Sequence, residues 1–175
     1  YYLQATVRRD GSSRFGANKK YANFGSIGAS WIVSDEDFMS GLKSSFLDEL
    51  KFKASYGSAG NQNGIGDFQS RELYGRSVYN GVSGLVQNTL ANPELQWERK
   101  ATLNAGFEFS TFKGRFTGAL EYYNSITTDL FLAKQLSRTT GNRSIPSNVG
   151  ELQNKGVEAS LNFGVIKSQN FTWDI

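Results

Sequence analysis

Over residues 94–109 apolar and polar side chains alternate for an unusually long run. Leu95, Trp97, Ala101, Leu103, Ala105, Phe107 and Phe109 share one parity, while Glu94, Gln96, Glu98, Lys100, Thr102, Asn104 and Glu108 share the other; only Arg99 breaks the pattern. Successive side chains of a strand point to opposite sides, so this period predicts a β-strand with one apolar and one polar face. At roughly 3.3 Å per residue it would extend about 50 Å, against ~17–20 Å for an ordinary globular strand. Tilted by about 40°, it would cross the ~25 Å apolar band of an outer membrane and project beyond it. The wall of a transmembrane β-barrel is the first architecture that such a strand suggests.

Composition agrees. Hydrophobic residues reach 38% and aromatic residues 14%, with two prolines. No run approaches the ~20 consecutive apolar residues that a membrane-spanning helix requires. A barrel hides its apolar face as every second residue, so its average hydropathy stays low. The chain has no Cys and no His, which removes disulfides and thiolate or imidazole metal sites from this segment. A net charge of +3, interleaved along the strands, gives no footprint for nucleic acid.

The same period recurs at Leu50, Phe52, Ala54 and Tyr56, at Phe116, Gly118, Leu120 and Tyr122, at Val157, Ala159, Leu161 and Phe163, and at Gly25, Ile27, Ala29, Trp31 and Val33. Ala119 makes one polar face mixed. With the two chain ends, these runs predict seven strands, at about 1–9, 22–33, 48–59, 95–109, 115–126, 154–164 and 171–175.

The connections carry a second pattern. The first, third and fifth (about 10–21, 60–94 and 127–153) are rich in Gly, Asn and Ser, and two are long; the fourth and sixth (about 110–114 and 165–170) are short. Outer-membrane barrels pair short periplasmic turns with longer extracellular loops in this way. The second connection, 34–47, is longer than a turn. Ser34 with Asp37 resembles a capping box, and Phe38, Met39, Leu42 and Phe46 have helical spacing, so a short amphipathic helix is expected there as a cap on the periplasmic rim. Both ends fall inside apparent strands, no signal peptide precedes Tyr1, and open edges are unfavourable in lipid; the chain is expected to be an internal piece, 1–175, of a larger all-β antiparallel barrel.

Several segments resemble the SusC/RagA-like TonB-dependent outer-membrane transporters of Bacteroidetes. They are Arg9-Asp10-Gly11-Ser12-Ser13-Arg14-Phe15-Gly16 with Phe24-Gly25-Ser26 and Trp31, Leu50 to Gly57 with Gly60-Asn61-Gln62, and Asn92-Pro93-Glu94-Leu95-Gln96-Trp97-Glu98. Tyr122-Tyr123-Asn124 leading to Thr127-Thr128-Asp129-Leu130-Phe131, and Asn148-Val149-Gly150-Glu151 leading to Asn154-Lys155-Gly156-Val157-Glu158, complete the set in the family's order. The resemblance implies a plugged barrel of about 22 strands that imports oligosaccharides or peptides. It also implies energy from the TonB complex and a SusD-like surface lipoprotein as partner. The family's plug and TonB-contacting segment are absent from this chain, so energy coupling comes from the resemblance alone.

Chemical readings are weaker. The stretch Gly57 to Gly66 is glycine-rich but lacks the spacing of a dinucleotide or phosphate loop, and a flexible surface loop is expected. Glu98, Glu108 and Glu121 are read as polar residues facing the lumen rather than as an acid–base pair. Asp10 is read as a turn residue rather than a calcium ligand. Trp97, facing outward with Leu103, is expected in the interfacial aromatic girdle. Tyr74, Tyr79 and Phe131 lie in or beside the outer connections, where rings stack on sugars or sit at the interface; for Tyr74 and Tyr79 both readings stand. No catalytic, cofactor or metal residue is expected, no residue is assigned to substrate, and no enzyme activity is expected. The function expected is wall and loop scaffold of an importer in the bacterial outer membrane, against outer-membrane lipid. The competing class is a soluble secreted β-sandwich that binds glycans, whose inner faces also alternate.

Overall fold

The structure, a computed structural model, describes residues 1–43, 46–167 and 172–175. Its strands are β1 (Tyr2–Gly11), β2 (Tyr21–Ile32), β3 (Leu47–Asn61), β4 (Leu73–Tyr79), β5 (Val82–Thr89), β6 (Glu98–Thr111), β7 (Phe116–Thr128), β8 (Phe131–Gln135), β9 (Ser144–Asn148), β10 (Glu151–Lys167) and β11 (Thr172–Asp174). Seven of them form one sheet in the order β1-β2-β3-β6-β7-β10-β11. Every neighbouring pair is antiparallel. The seven expected strands are these seven, with ends moved by a few residues. The predicted strand at 171–175 survives as β11, while Phe171 and residues 168–170 of the sixth connection lie outside the described residues.

Register explains the two faces. Leu103 lies opposite Tyr56 and Asn124, Ala105 opposite Ala54 and Tyr122, and Phe107 opposite Phe52 and Leu120. Because partners point the same way, the short alternating runs merge into one apolar surface that continues through Ile27, Ala29 and Trp31 and through Val157, Ala159 and Leu161. Ile27, Phe52, Tyr56, Leu103, Leu120, Tyr122, Val157 and Leu161 are all exposed. A sandwich would pack a second sheet on this face; among the described residues the other two sheets are the two-stranded hairpins β4–β5 and β8–β9. Toward the end with the short connections, Phe52, Phe107, Phe109, Phe116 and Phe163 form a chain of ring contacts with centroids 5.3–6.4 Å apart.

That end is closed by the β6–β7 turn, where Phe112, Lys113 and Gly114 all have positive φ and the Arg115 amide donates to Thr111 O at 3.1 Å. The β2–β3 connection also lies there, and it departs from expectation. Two 3-10 turns (Val33–Asp35 and Asp37–Met39) precede a helix of only four residues, α1 (Ser40–Lys43). The capping box is not formed: Ser34 lies inside the first turn, with a buried hydroxyl that has no hydrogen-bond partner among the described residues. The segment is held instead by Trp31, whose Nε1 donates to Glu36 Oε1 at 2.9 Å.

The long connections are not loops throughout. The third contains the hairpin β4–β5, closed by Asn80-Gly81 with φ of 49° and 77°, and the fifth contains the hairpin β8–β9. The values at Asn80-Gly81 are those of the two-residue turns that fit strand twist.

Candidate functional site

Two regions have chemistry: the polar face of the sheet and the rim at the long-connection end. On the polar face Lys51 lies directly opposite Glu108, and Lys53, Gly106 and Glu121 lie in one row across three strands. Lys53 Nζ reaches Glu108 Oε1 at 2.9 Å and Glu121 Oε2 at 3.2 Å, and Lys51 Nζ reaches Glu108 Oε2 at 3.4 Å. Gly106 makes this possible, since it has no side chain between Lys53 and Glu121. It also lets β6 and β7 approach, because a Cβ there would collide with Leu120 O and lie 2.9 Å from Glu121 Cα. Above the charges the face turns to hydroxyls and amides. Thr6 and Ser26 share a hydrogen bond of 2.7 Å, Thr102 and Ser125 one of 3.1 Å, and a depression of about 400 Å³ is lined by Gln4, Ser26, Ser55, Thr102 and Asn104. Such a surface can pass hydrogen bonds to a hydrated solute. Glu108 and Glu121 sit on the polar face as expected, each against a lysine.

The rim is built around residues 92–98. β2 and β3 part after the pair Ser26 and Gly57, whereas β3 continues to Asn61 against β6. Phe15, Ala22, Phe24, Ile65, Leu95 and Trp97 form a buried cluster there, with Phe131 packed against it. Trp97 is 7% exposed and Leu95 fully buried. The Trp97 ring packs against Phe15 with centroids 4.6 Å apart and planes tilted by 39°, and its Nε1 donates to Lys20 O at 3.1 Å. This corrects two expectations. The strand begins at Glu98, so the alternation across 94–97 belongs to a loop. Trp97 does not face outward with Leu103 and is not part of a girdle.

Polar contacts tie the same segment to three connections. The Gly16 amide donates to Leu95 O at 2.9 Å, and Gly16 packs on Pro93 O so closely that any side chain would clash. The Asn92 amide donates to Ser70 O, and Ser70 Oγ donates to Phe15 O. Asn148 substitutes for a missing strand: its Oδ1 accepts from the Gln96 amide, and its Nδ2 donates to Gln96 O and Asp129 O, each at 2.8 Å. Asn92 Nδ2 donates to Pro146 O at 2.7 Å. Glu98, expected on a solvated lumen face, is instead buried; its carboxylate accepts from Asn61 Nδ2 and from the Phe131 amide, each at 2.7 Å. The buried oxygens are satisfied, as such groups must be.

Two more expectations change here. Gly57 and Gly60 belong to β3, the ring of Phe24 lies over Gly60, and Ile65 is 2% exposed, so only Asn63, Gly64 and Gly66 remain as the surface loop expected for the whole stretch. Asp10 lies in β1 and pairs with Arg8 at 3.2 Å, so it is not a turn residue. Phe131 packs beneath the rim, so of the four rings considered from the sequence Tyr74 and Tyr79, 58% and 87% exposed on β4, are the accessible ones. Tyr74 donates to Glu72, which raises its phenol above the usual range.

The family model for the TonB dependent receptor-like β-barrel matches residues 1–175. The chain belongs to this family. It is 40% identical to the TonB-dependent receptor P39 of Formosa agariphila over 99% of its own length and 16% of that protein. It is 32% identical to the TonB-dependent receptor SusC of Bacteroides thetaiotaomicron over 100% of its length and 18% of that protein. Among solved structures, the RagAB peptide transporter gives a TM-score of 0.84 at 31% identity, over 96% of this chain and 18% of that one. The siderophore receptor PirA of Pseudomonas aeruginosa, at 18% identity and TM-score 0.57, shares the fold. The chain therefore spans less than a fifth of the length of these curated relatives. Within this receptor family the segment contributes seven adjacent wall strands and three rim connections.

The rim contacts of Asn92, Asn148 and Ser70 were not foreseeable from local sequence. The dipeptide Asn80-Gly81 between Val78, Tyr79 and Val82 was a readable hairpin signal. Nothing local marks Asn148 as a partner of Gln96, 52 residues away.

Proposed function

We propose that this chain is wall and rim of an outer-membrane importer for oligosaccharides or peptides. Its apolar face lies against lipid, its polar face lines the lumen, and the rim with its two hairpins faces the cell exterior. The parent protein works with a SusD-like surface lipoprotein and draws energy from the TonB complex; plug movement inside the barrel would open the path along the polar face. The observation that supports this reading most is the continuous two-faced sheet, apolar on one side and polar on the other. The aromatic chain at the short-connection end is where rings favour a headgroup interface. Similarity to SusC and to the RagAB peptide transporter supports the solute classes and the lipoprotein partner.

Single cysteines at Asn80 and Lys113 of the full-length parent test the topology. An impermeant thiol reagent on intact cells should label Asn80→Cys and spare Lys113→Cys, and the reverse result overturns it. Uptake of fluorescent oligosaccharides and peptides should stop on deletion of TonB; uptake that persists would mean a passive pore.

A further inference from the structure

The two hairpins above the rim differ in charge from the rest of the chain. Residues 73–89 and 131–148 contain Arg76, Lys134, Arg138 and Arg143 and no Asp or Glu, although the whole chain has 16 acids against 19 bases. All four cations are exposed, and none forms an ion pair with a described residue. The nearby rim carboxylates have other partners: Asp67 pairs with Arg14, Glu94 with Lys19, and Glu72 accepts from Tyr74 and Gln87. Asp129 and Glu151 stand at the base of the second hairpin, next to the sheet.

The tip that carries Arg138 and Arg143 is held in shape. The Leu136 amide donates to Arg143 O at 3.0 Å, Thr140 Oγ1 donates to Ser137 O at 2.8 Å and to Asn142 O at 3.1 Å, and Ser137 and Thr139 share a hydroxyl contact of 2.9 Å. Asn148 and Glu98 fix its base to the rim. Asn142 Nδ2 donates to Gln87 Oε1 at 3.3 Å, which brings this hairpin beside the one bearing Tyr74 and Tyr79. Arg138 and Arg143 thus stand on a fixed frame, and Gln87, which Asn142 contacts, is the β5 partner of Tyr74, so an anionic ligand with apolar ring faces would meet cations on one hairpin and an exposed ring on its neighbour.

We propose that these hairpins form a capture site for an oligosaccharide carrying carboxylate or sulfate groups. This rests on the importer reading and names its solute class. Arg138 and Arg143 supply forked donors for planar or tetrahedral anions, Lys134 and Arg76 add point charge and field, and the patch speeds encounter with a polyanion. Tyr74 and Tyr79 offer ring faces to the C–H faces of pyranose units. A peptide fits less well, because the carboxylate beside the first hairpin, Glu72, already accepts from Tyr74 and Gln87, and Asp129 and Glu151 stand only at the base of the second.

The test uses the full-length parent purified in detergent, titrated at low salt with hexagalacturonate, a carrageenan hexasaccharide, maltohexaose, hexaglutamate and lipopolysaccharide. At least one of the two acidic oligosaccharides should bind, and maltohexaose and hexaglutamate should bind about tenfold more weakly or less. Raising the salt from about 50 to 300 mM should weaken the acidic oligosaccharide severalfold. The triple variant Lys134→Gln, Arg138→Gln, Arg143→Gln should keep the thermal midpoint and bind that ligand about tenfold more weakly. Should that variant fail to fold, the salt response and ligand ranking of the unmodified receptor decide. Equal binding of maltohexaose, preference for hexaglutamate, unchanged binding by the triple variant, or dependence on these residues for lipopolysaccharide alone would each overturn the proposal. Acidic-sugar binding without TonB-dependent uptake would remove the importer reading and leave this site standing; TonB-dependent uptake with no binding of either acidic oligosaccharide would do the reverse.

Discussion

Ala105 and Asn104 are adjacent residues near the centre of β6, so arginine at one or the other compares the two faces at nearly the same depth. Ala105 lies between Ala54 and Tyr122 on the apolar face, and Asn104 lies between Ser55 and Tyr123 on the polar face. β6 has 14 residues, which at roughly 3.3 Å each and a tilt of about 40° rise about 35 Å along the membrane normal, enough to cover the ~25 Å apolar band. Ala105 is seven residues from Glu98, which puts it about 18 Å below the upper end of the strand, close to the midplane. With the apolar face against lipid, as proposed, an arginine there would cost roughly 2–4 kcal/mol, a factor of about 30 to 800 in the folding equilibrium. At position 104 the same side chain meets the polar face, where surface substitutions usually stay within about 0.5 kcal/mol. The assay is folded yield of the full-length parent in outer-membrane preparations, together with the denaturant midpoint of each purified variant. Comparable losses for Ala105→Arg and Asn104→Arg, or a greater loss for Asn104→Arg, would refute the assignment of faces.

Other perturbations probe the rim, the close strand contact and the hairpin. Trp97→Ala removes the centre of the buried cluster and should cost about 3–5 kcal/mol of local stability, read as faster hydrogen exchange at residues 12–20, 62–70 and 92–97 with the barrel strands still protected. Gly106→Ala forces a Cβ onto the β7 backbone and should lower the unfolding midpoint by the equivalent of about 1–3 kcal/mol. Gly28→Ala, where the nearest contact is an ordinary 3.5 Å to Ser55 Cβ, should leave the midpoint nearly unchanged. Tyr74, held un-ionised by its hydrogen bond to Glu72, should ionise above the usual tyrosine range in a spectroscopic titration, and Glu72→Gln should return it toward that range. The sign follows from linkage: the raised pKa means that this bond's contribution is present below the unfolded value and lost as pH rises through the folded one.

The seven wall strands, their antiparallel order and their apolar face were legible in the sequence, because alternation is a local property. A strand such as Val157 to Phe163 shows its period without knowledge of its neighbours, and antiparallel meanders follow from short turns such as that at Lys113-Gly114. The same alternation over residues 94–97 was misleading. Leu95 and Trp97 continue the period, but whether an apolar side chain meets lipid or packs beneath a returning loop is decided by Phe15 and Ile65, which are remote in sequence and meet it only where β2 and β3 diverge. Glu98 likewise looks like any lumen carboxylate until Asn61 and the Phe131 amide close over it. Asn148 is one of many rim asparagines, and only the fold places its amide against the unpaired backbone of Gln96. Periodicity thus determined which residues form the wall and which way they point, while the rim depended on tertiary structure, because its contacts join segments that have no shared period and lie far apart along the chain.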